Sequence, residues 1–244
     1  MPPKLETLPE TQRLIWPRLS EIGPDFVLYG GTAISLQVGG RRSVDFDFFS
    51  AKPLAYDQLA SRFSFLKAAK VLHRADNTAT FLVGNEGDGV SISFFGSLGF
   101  GRVDEPVQFV DNGLYAAGLL DLAAQKVVVI QQRAEAKDYL DIHTLLSVGI
   151  SLEMAMGAAR ALYPEFNAAI SLKALSYFKD VPRLPPNVQR ELGTAASRVR
   201  DMAQVLKQNE SLLPEFEIGE RSVEGYEASG PPLKDRSKEP ELEI

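Results

Sequence analysis

The chain has 244 residues, 45% of them hydrophobic and 24% charged, the profile of a soluble globular protein with enough material for a packed core. It has no cysteine and two histidines, which excludes a disulfide scaffold, a thiolate metal site, a cysteine nucleophile and a multi-histidine metal cage. The net charge of -6 is local: residues 215–244 hold nine acidic against four basic side chains, leaving residues 1–214 near neutral at -1, so total charge neither requires nor forbids a nucleic-acid partner.

No apolar run approaches the length of a membrane span, and MPPKLETLPE lacks the apolar segment of a signal peptide, so a cytoplasmic protein without a membrane partner is expected. An amphipathic helix is predicted near residues 9–22, with Leu14, Ile15, Leu19 and Ile22 on one face and a kink at Pro17. Phe26 to Tyr29 reads as a strand stopped by Gly30-Gly31. Thr32 to Val38 suits a short helix capped by Thr32 and ended by Gly39-Gly40. Ser43 to Phe49 alternates strictly, with Val44, Phe46 and Phe48 on one side and Asp45 and Asp47 on the other, which predicts a strand with an apolar and an acidic face. A helix over 56–66 and strands over 70–73, 78–83 and 90–95 follow, with the turn Asn85-Glu86-Gly87-Asp88-Gly89 between the last two. From about Leu114 the pattern is helical, with helices expected over 119–133, 135–148, 151–162, 167–178 and 186–209. The predicted class is α/β, of the α+β kind: a mixed-sheet core over 1–113, a helical lobe over 114–214 completing the site, and a mobile acidic tail over 215–244.

The chemistry concentrates in Gly30-Gly31-Thr32 followed by Arg41-x-Ser43-x-Asp45-x-Asp47. Asp45 and Asp47, two apart on a strand, share a face with Cα atoms ~6.5 Å apart. Their mutual repulsion would be relieved by a divalent cation such as Mg²⁺, which takes one or two carboxylates plus phosphate oxygens. The alternative is the solvated face of an edge strand. Glycines between a strand and a helix allow close backbone approach, and a helix N-terminus favours phosphate; an ordinary turn is the alternative. Thr32 would bond the phosphate or cap its helix. If the strand begins early, Arg41 and Ser43 line the same face as the two aspartates, and Arg41 neutralises phosphate charge; otherwise Arg41 and Arg42 form a solvated turn.

The segment FVLYGGTAISLQVGGRRSVDFDFFS resembles the first motif of the nucleotidyltransferase superfamily, and more narrowly the AbiEii/AbiGii toxin family, which includes the MenT-type toxins. LLDLAAQKVVVIQQRAEAKDYLDIHTLL is similar to the family's later motif, a helical lysine, an arginine and a K/R-D-x-x-D helix. The resemblance implies a polymerase-β-like core with a helical C-terminal lobe. It implies Mg²⁺ or Mn²⁺ on Asp45 and Asp47, and an NTP whose phosphates meet Gly30, Gly31, Thr32 and Ser43, with Arg41 beside them. Lys126 would contact the triphosphate, and Asp138 would act as a base or a positioning group. Read without the family, the apolar context of Lys126 makes a plain solvated lysine less natural, with a snorkelling lysine as the alternative, and for Lys137, Asp138 and Asp141 the alternative is simple helix-surface charge, Asp138 and Asp141 sharing a face.

One feature departs from the superfamily. A third carboxylate is often carried on a later strand, whereas the strand over 90–95 offers Ser91 and Ser93, and Asp88 falls in the turn. His73 and His143 read as surface or structural residues, Trp16 and the phenylalanines as core, and Gly96 to Gly101 as a loop beside the site. The implied function is transfer of a nucleotide from an NTP to a tRNA or protein, by the toxin of a toxin–antitoxin or phage-defence pair with a cognate antitoxin. The alternatives are an antibiotic-type small-molecule nucleotidyltransferase and a non-catalytic nucleotide-binding relative.

Overall fold

The computed structural model describes residues 1–214, which form one compact unit; the tail expected over 215–244 lies outside the described residues. A strand of three residues, β1 (Val27–Tyr29), is buried on both faces. β1 sits inside a seven-stranded mixed sheet of order β3-β4-β5-β2-β1-β7-β6. The other strands are β2 (Asp45–Phe49), β3 (Lys70–Ala75), β4 (Thr78–Val83), β5 (Val90–Phe95), β6 (Val107–Gln108) and β7 (Tyr115–Ala116). β2 runs antiparallel to β1 and parallel to β5, while β7 runs parallel to β1.

The helices are α1 (Glu10–Ile15), α2 (Gly30–Val38), α3 (Tyr56–Arg62), α4 (Leu119–Val129), α5 (Ala136–Ser147), α6 (Leu152–Leu162), α7 (Ala168–Ala174) and α8 (Pro186–Arg198). The expected mixed sheet followed by a helical half is present. Aromatic side chains fill the core on the apolar side of β2. Phe46 and Phe48 are fully buried, Phe48 stacks on Phe94 at 5.5 Å, and Phe94 stacks on Phe63 at 5.7 Å. Each buried phenylalanine contributes about 1.5–3 kcal/mol, so this stack holds β2 in the register that turns Asp45 and Asp47 to the opposite face.

Several expected elements take other forms. The helix expected over 9–22 is α1 followed by a 3₁₀ segment, Trp16–Asp25, that carries Pro17 at its start and Pro24 inside; each proline lacks the N–H that an α-helix would need. The expected cap Thr32 lies inside the first turn, because α2 begins at Gly30. The last helix stops at Arg198 rather than near 209. The chain beyond it takes its hydrogen bonds from tertiary partners: Ala203 N–H donates to the Glu153 carbonyl at 3.1 Å, and Asn209 forms a β-bridge with Arg102. β6 and β7 are two residues each, too short to show a period. No single helix among the described residues is long and apolar enough to cross a membrane.

Candidate active site

β1 ends in a turn that only glycine fits. Gly30 has φ +73°, and a Cβ there would lie 2.7 Å from Asp47 Oδ2. A Cβ on Gly31 would lie 2.4 Å from Arg41 Nη2 and 2.9 Å from Ser43 Oγ. The two glycines thus let the start of α2, whose first N–H groups have no helical acceptor, close onto the side chains of Asp47, Arg41 and Ser43. Thr32 is buried, and its hydroxyl donates to the Asp45 carbonyl at 2.5 Å. It fastens α2 to the first residue of β2 and does not line the cavity. β2 begins at Asp45, so Arg41 and Ser43 precede the strand and Val44 is exposed; the loop, rather than strand phase, brings Arg41 and Ser43 to Gly31.

Asp45 and Asp47 share the face opposite Phe46 and Phe48. Across the sheet, Asp47 stands beside Tyr29 on one side and Ser93 on the other, and Asp45 beside Ser91. The positions where β5 would present a third carboxylate are therefore serines, and among the described residues no cluster of three or more histidine or acidic side chains is placed to hold a metal. Burial and then the neighbouring Asp45 charge push the Asp47 carboxyl up to about 6, against the pull of Lys126, Lys137 and Arg133. Two crowded carboxylates fit a hard divalent cation that completes its shell from phosphate and water.

Behind the aspartates lies a chain of ion pairs. Lys126, on α4 and 5% exposed, donates to Asp138 Oδ1 at 2.8 Å and reaches Asp141 Oδ2 at 2.7 Å. Arg133 donates to both oxygens of Asp138, at 2.8 and 3.3 Å. Arg41 Nε and Nη2 donate to Asp141 Oδ1 and Oδ2, each at 2.8 Å. Asp138 is fully buried in the first turn of α5. Burial pushes its carboxyl up, but the Arg133 and Lys126 hydrogen bonds and charges outweigh that and hold it below the usual carboxylate range. Arg133, expected at the end of a helix over 119–133, stands beyond the end of α4, which closes at Val129, so it reaches Asp138 from the connection to α5.

These elements enclose a cavity of about 170 Å³ lined by Gly30, Gly31, Arg41, Ser43, Asp45, Asp47 and Lys126 together with Arg42, Val44, Gln125, Val129, Arg133 and Lys137. Five lining side chains are cationic and two are carboxylates, a balance suited to a polyanion. A family model described as "Nucleotidyl transferase AbiEii toxin, Type IV TA system" matches residues 15–218. The chain belongs to the AbiEii nucleotidyltransferase toxin family.

Relatives of this AbiEii-family chain include an uncharacterized protein of Aquifex aeolicus (strain VF5), 33% identical over 159 residues, which are 64% of this chain and 75% of that protein. A crystal structure from H. pylori described as a "putative nucleotidyltransferase" is similar at a TM-score of 0.51 and 17% identity, covering 77% of this chain and 92% of that one; it shares the fold. MenT4, a nucleotidyltransferase toxin of Mycobacterium tuberculosis H37Rv, is similar at a TM-score of 0.43 and 16% identity, over 74% and 88% of the two chains.

Of the residues expected to bind nucleotide or metal or to act in catalysis, Thr32 and Asp138 stand behind the cavity wall instead of lining it. The Gly96–Gly101 loop does not line it either; its Phe100 packs on Tyr29 and Phe49. His73 is exposed on β3, and His143 pairs with Glu191 at 2.7 Å. Arg42, Val44, Gln125, Val129 and Lys137 also line the cavity, although the sequence assigns none of them a part in it. Arg42 and Lys137 neighbour motif residues, whereas nothing in the sequence marks Gln125 beyond its place before Lys126.

Proposed function

We propose that this nucleotidyltransferase-family toxin moves a nucleoside monophosphate from an NTP to an RNA, such as a tRNA, or to a protein. The observation that carries the reading is the convergence of the Gly30-Gly31 turn, Arg41, Ser43 and Lys126 with Asp45 and Asp47 on one cavity. In this reading the N–H groups opening α2 and the Ser43 hydroxyl meet phosphate oxygens, and Arg41 and Lys126 neutralise them. Asp45 and Asp47 would hold Mg²⁺ or Mn²⁺, which when bound supplies charge neutralisation for phosphoryl displacement. The chain's own part is positioning, as suits a reaction that needs little covalent help. Asp138 is a positioning group rather than a base: both of its oxygens are taken by cations, and its carboxyl is held acidic. Thr32 acts by fixing Asp45.

The acceptor is anionic or neutral in this reading. The rim residues Arg42, Arg133 and Lys137 would repel a cationic antibiotic. A cognate antitoxin is the expected partner, and the cytoplasm the expected location. Transfer of label from each α-labelled NTP, with Mg²⁺, into total bacterial RNA and protein tests the proposal, with Asp47→Ala as control. Label in RNA or protein that vanishes in the variant is the expected result. Label that persists in the variant removes the assignment of Asp47, and no label in either fraction removes the macromolecular acceptor.

A further inference from the structure

Asp141 has no role in the reading above, yet like Asp138 it binds two of the site's cations, here Arg41 and Lys126. It lies on α5 one turn after Asp138, with its side chain only 3% exposed. Its two oxygens take a two-point fork from the Arg41 guanidinium, and Oδ2 also receives Lys126 Nζ. One carboxylate therefore joins cations from two separate elements, the α2–β2 loop and α4.

The remaining bonds of Arg41 complete the restraint. Nε also donates to the Lys137 carbonyl at 3.2 Å, and Nη1 to the Arg42 carbonyl at 3.1 Å. A guanidinium has five N–H donors and an ammonium three. Arg41 keeps one free N–H on each terminal nitrogen. Lys126 hydrogen-bonds Asp138 and is ion-paired with Asp141, which leaves it at least one free N–H. The plane of the Arg41 fork is fixed by Asp141 against Gly31, where nothing larger than hydrogen would leave it room.

We infer that Asp141 is a positioning residue for the triphosphate: it aligns the free N–H groups of Arg41 and Lys126 on the cavity, and so sets NTP affinity without touching the nucleotide. The inference rests on the reading of this cavity as an NTP site. A carboxylate beside two phosphate-binding cations also weakens their field. Its benefit is therefore orientation, which salt does not screen, rather than charge, which salt does. Charge-assisted two-point pairs are the geometry that fixes a guanidinium plane most firmly.

The test is titration of the full chain with inorganic tripolyphosphate in Mg²⁺ at 0.5 M salt, followed calorimetrically, with thermal midpoints measured alongside. Arg41→Lys keeps the charge but cannot form the fork; it sits at a partly exposed position. Asp141→Asn keeps the shape but offers an amide N–H₂ where a carboxylate oxygen accepted. Each is expected to weaken binding about tenfold. The double variant is expected to be no weaker than either single, because residues acting through one another are non-additive. The KM for NTP is expected to rise by a larger factor than kcat falls, the split that a merely structural role would not produce. Arg41→Lys binding within about twofold of wild type would overturn the inference even if Asp141→Asn fails to fold, and so would additive losses in the double variant. A wild-type protein that binds neither tripolyphosphate nor NTP would instead overturn the NTP-site reading on which the inference stands.

Discussion

Replacing Asp47 with asparagine should stabilise the metal-free protein at neutral pH while abolishing transfer. Asp47 is held at about 6 in the folded chain against 3.8 when free. A carboxyl raised by folding binds its proton more tightly in the folded state. Its favourable contribution is full below pH 3.8, fades as pH rises through 6, and leaves an unrelieved cost above that. The gap corresponds to about 3 kcal/mol at 1.36 kcal/mol per pH unit, and solvent at this partly exposed side chain lowers the realistic figure to about 1–3 kcal/mol. The Asp47 carboxylate accepts no side-chain hydrogen bond among the described residues, so the amide forfeits none. For a unit of this size the gain is roughly 3–9 °C in Tm. Thermal and urea melts in EDTA from pH 4 to 8 should show the two proteins alike near pH 4 and the variant ahead above pH 7. Added Mg²⁺ should narrow the difference by raising wild type alone. A variant that is less stable at pH 7.5, or a difference that does not change with pH, would refute the account of Asp47 as a crowded, desolvated charge.

Three further outcomes follow from the geometry. Gly31→Ala should displace the Arg41 guanidinium from its seat and cut NTP affinity at least about tenfold, and should lower Tm as well because the displaced guanidinium gives up its pair with the buried Asp141; paired titrations and melts check both halves. Lys126→Met should abolish transfer and destabilise, but by no more than the lower end of the roughly 3–5 kcal/mol range for a broken buried pair, since Asp138 keeps Arg133 and Asp141 keeps Arg41; urea denaturation gives the figure. Thr32→Val should cost about 1 kcal/mol for the lost hydroxyl bond and lower kcat more than NTP affinity, which steady-state kinetics would separate.

The sequence made some of this legible because the information was local. The alternation of Phe46 and Phe48 with Asp45 and Asp47 is a period-two signal, and it sets which face carries the carboxylates, although Val44, one step earlier in the same pattern, lies outside β2 and is exposed beside them. Gly30 and Gly31 were marked by the same logic, since a turn that admits no side chain leaves its trace in residue type. The path of the chain after Arg198 was not legible. Val199, Met202 and Val205 continue a helical spacing, yet the backbone there bonds to Glu153 and Arg102, partners no window contains. The helical pattern over 119–133 includes Arg133, but α4 ends four residues earlier, and the guanidinium still finds Asp138. The grip of Asp141 on Arg41 lay beyond any spacing rule, because it depends on α5 packing against α2.

That grip joins two residues a hundred positions apart. Most of the sheet's strands and all of α3 and α4 lie within the intervening loop, so forming it requires nearly the whole fold to be in place, and the closure entropy has already been spent by the strands and helices between. Ligand affinity at this cavity is therefore a readout of global folding. Hydrogen exchange in α5 and in the 41–43 loop should slow together on ligand binding, as parts of one cooperative unit, and a chain cleaved between α2 and α5 retains function only while its two pieces stay docked.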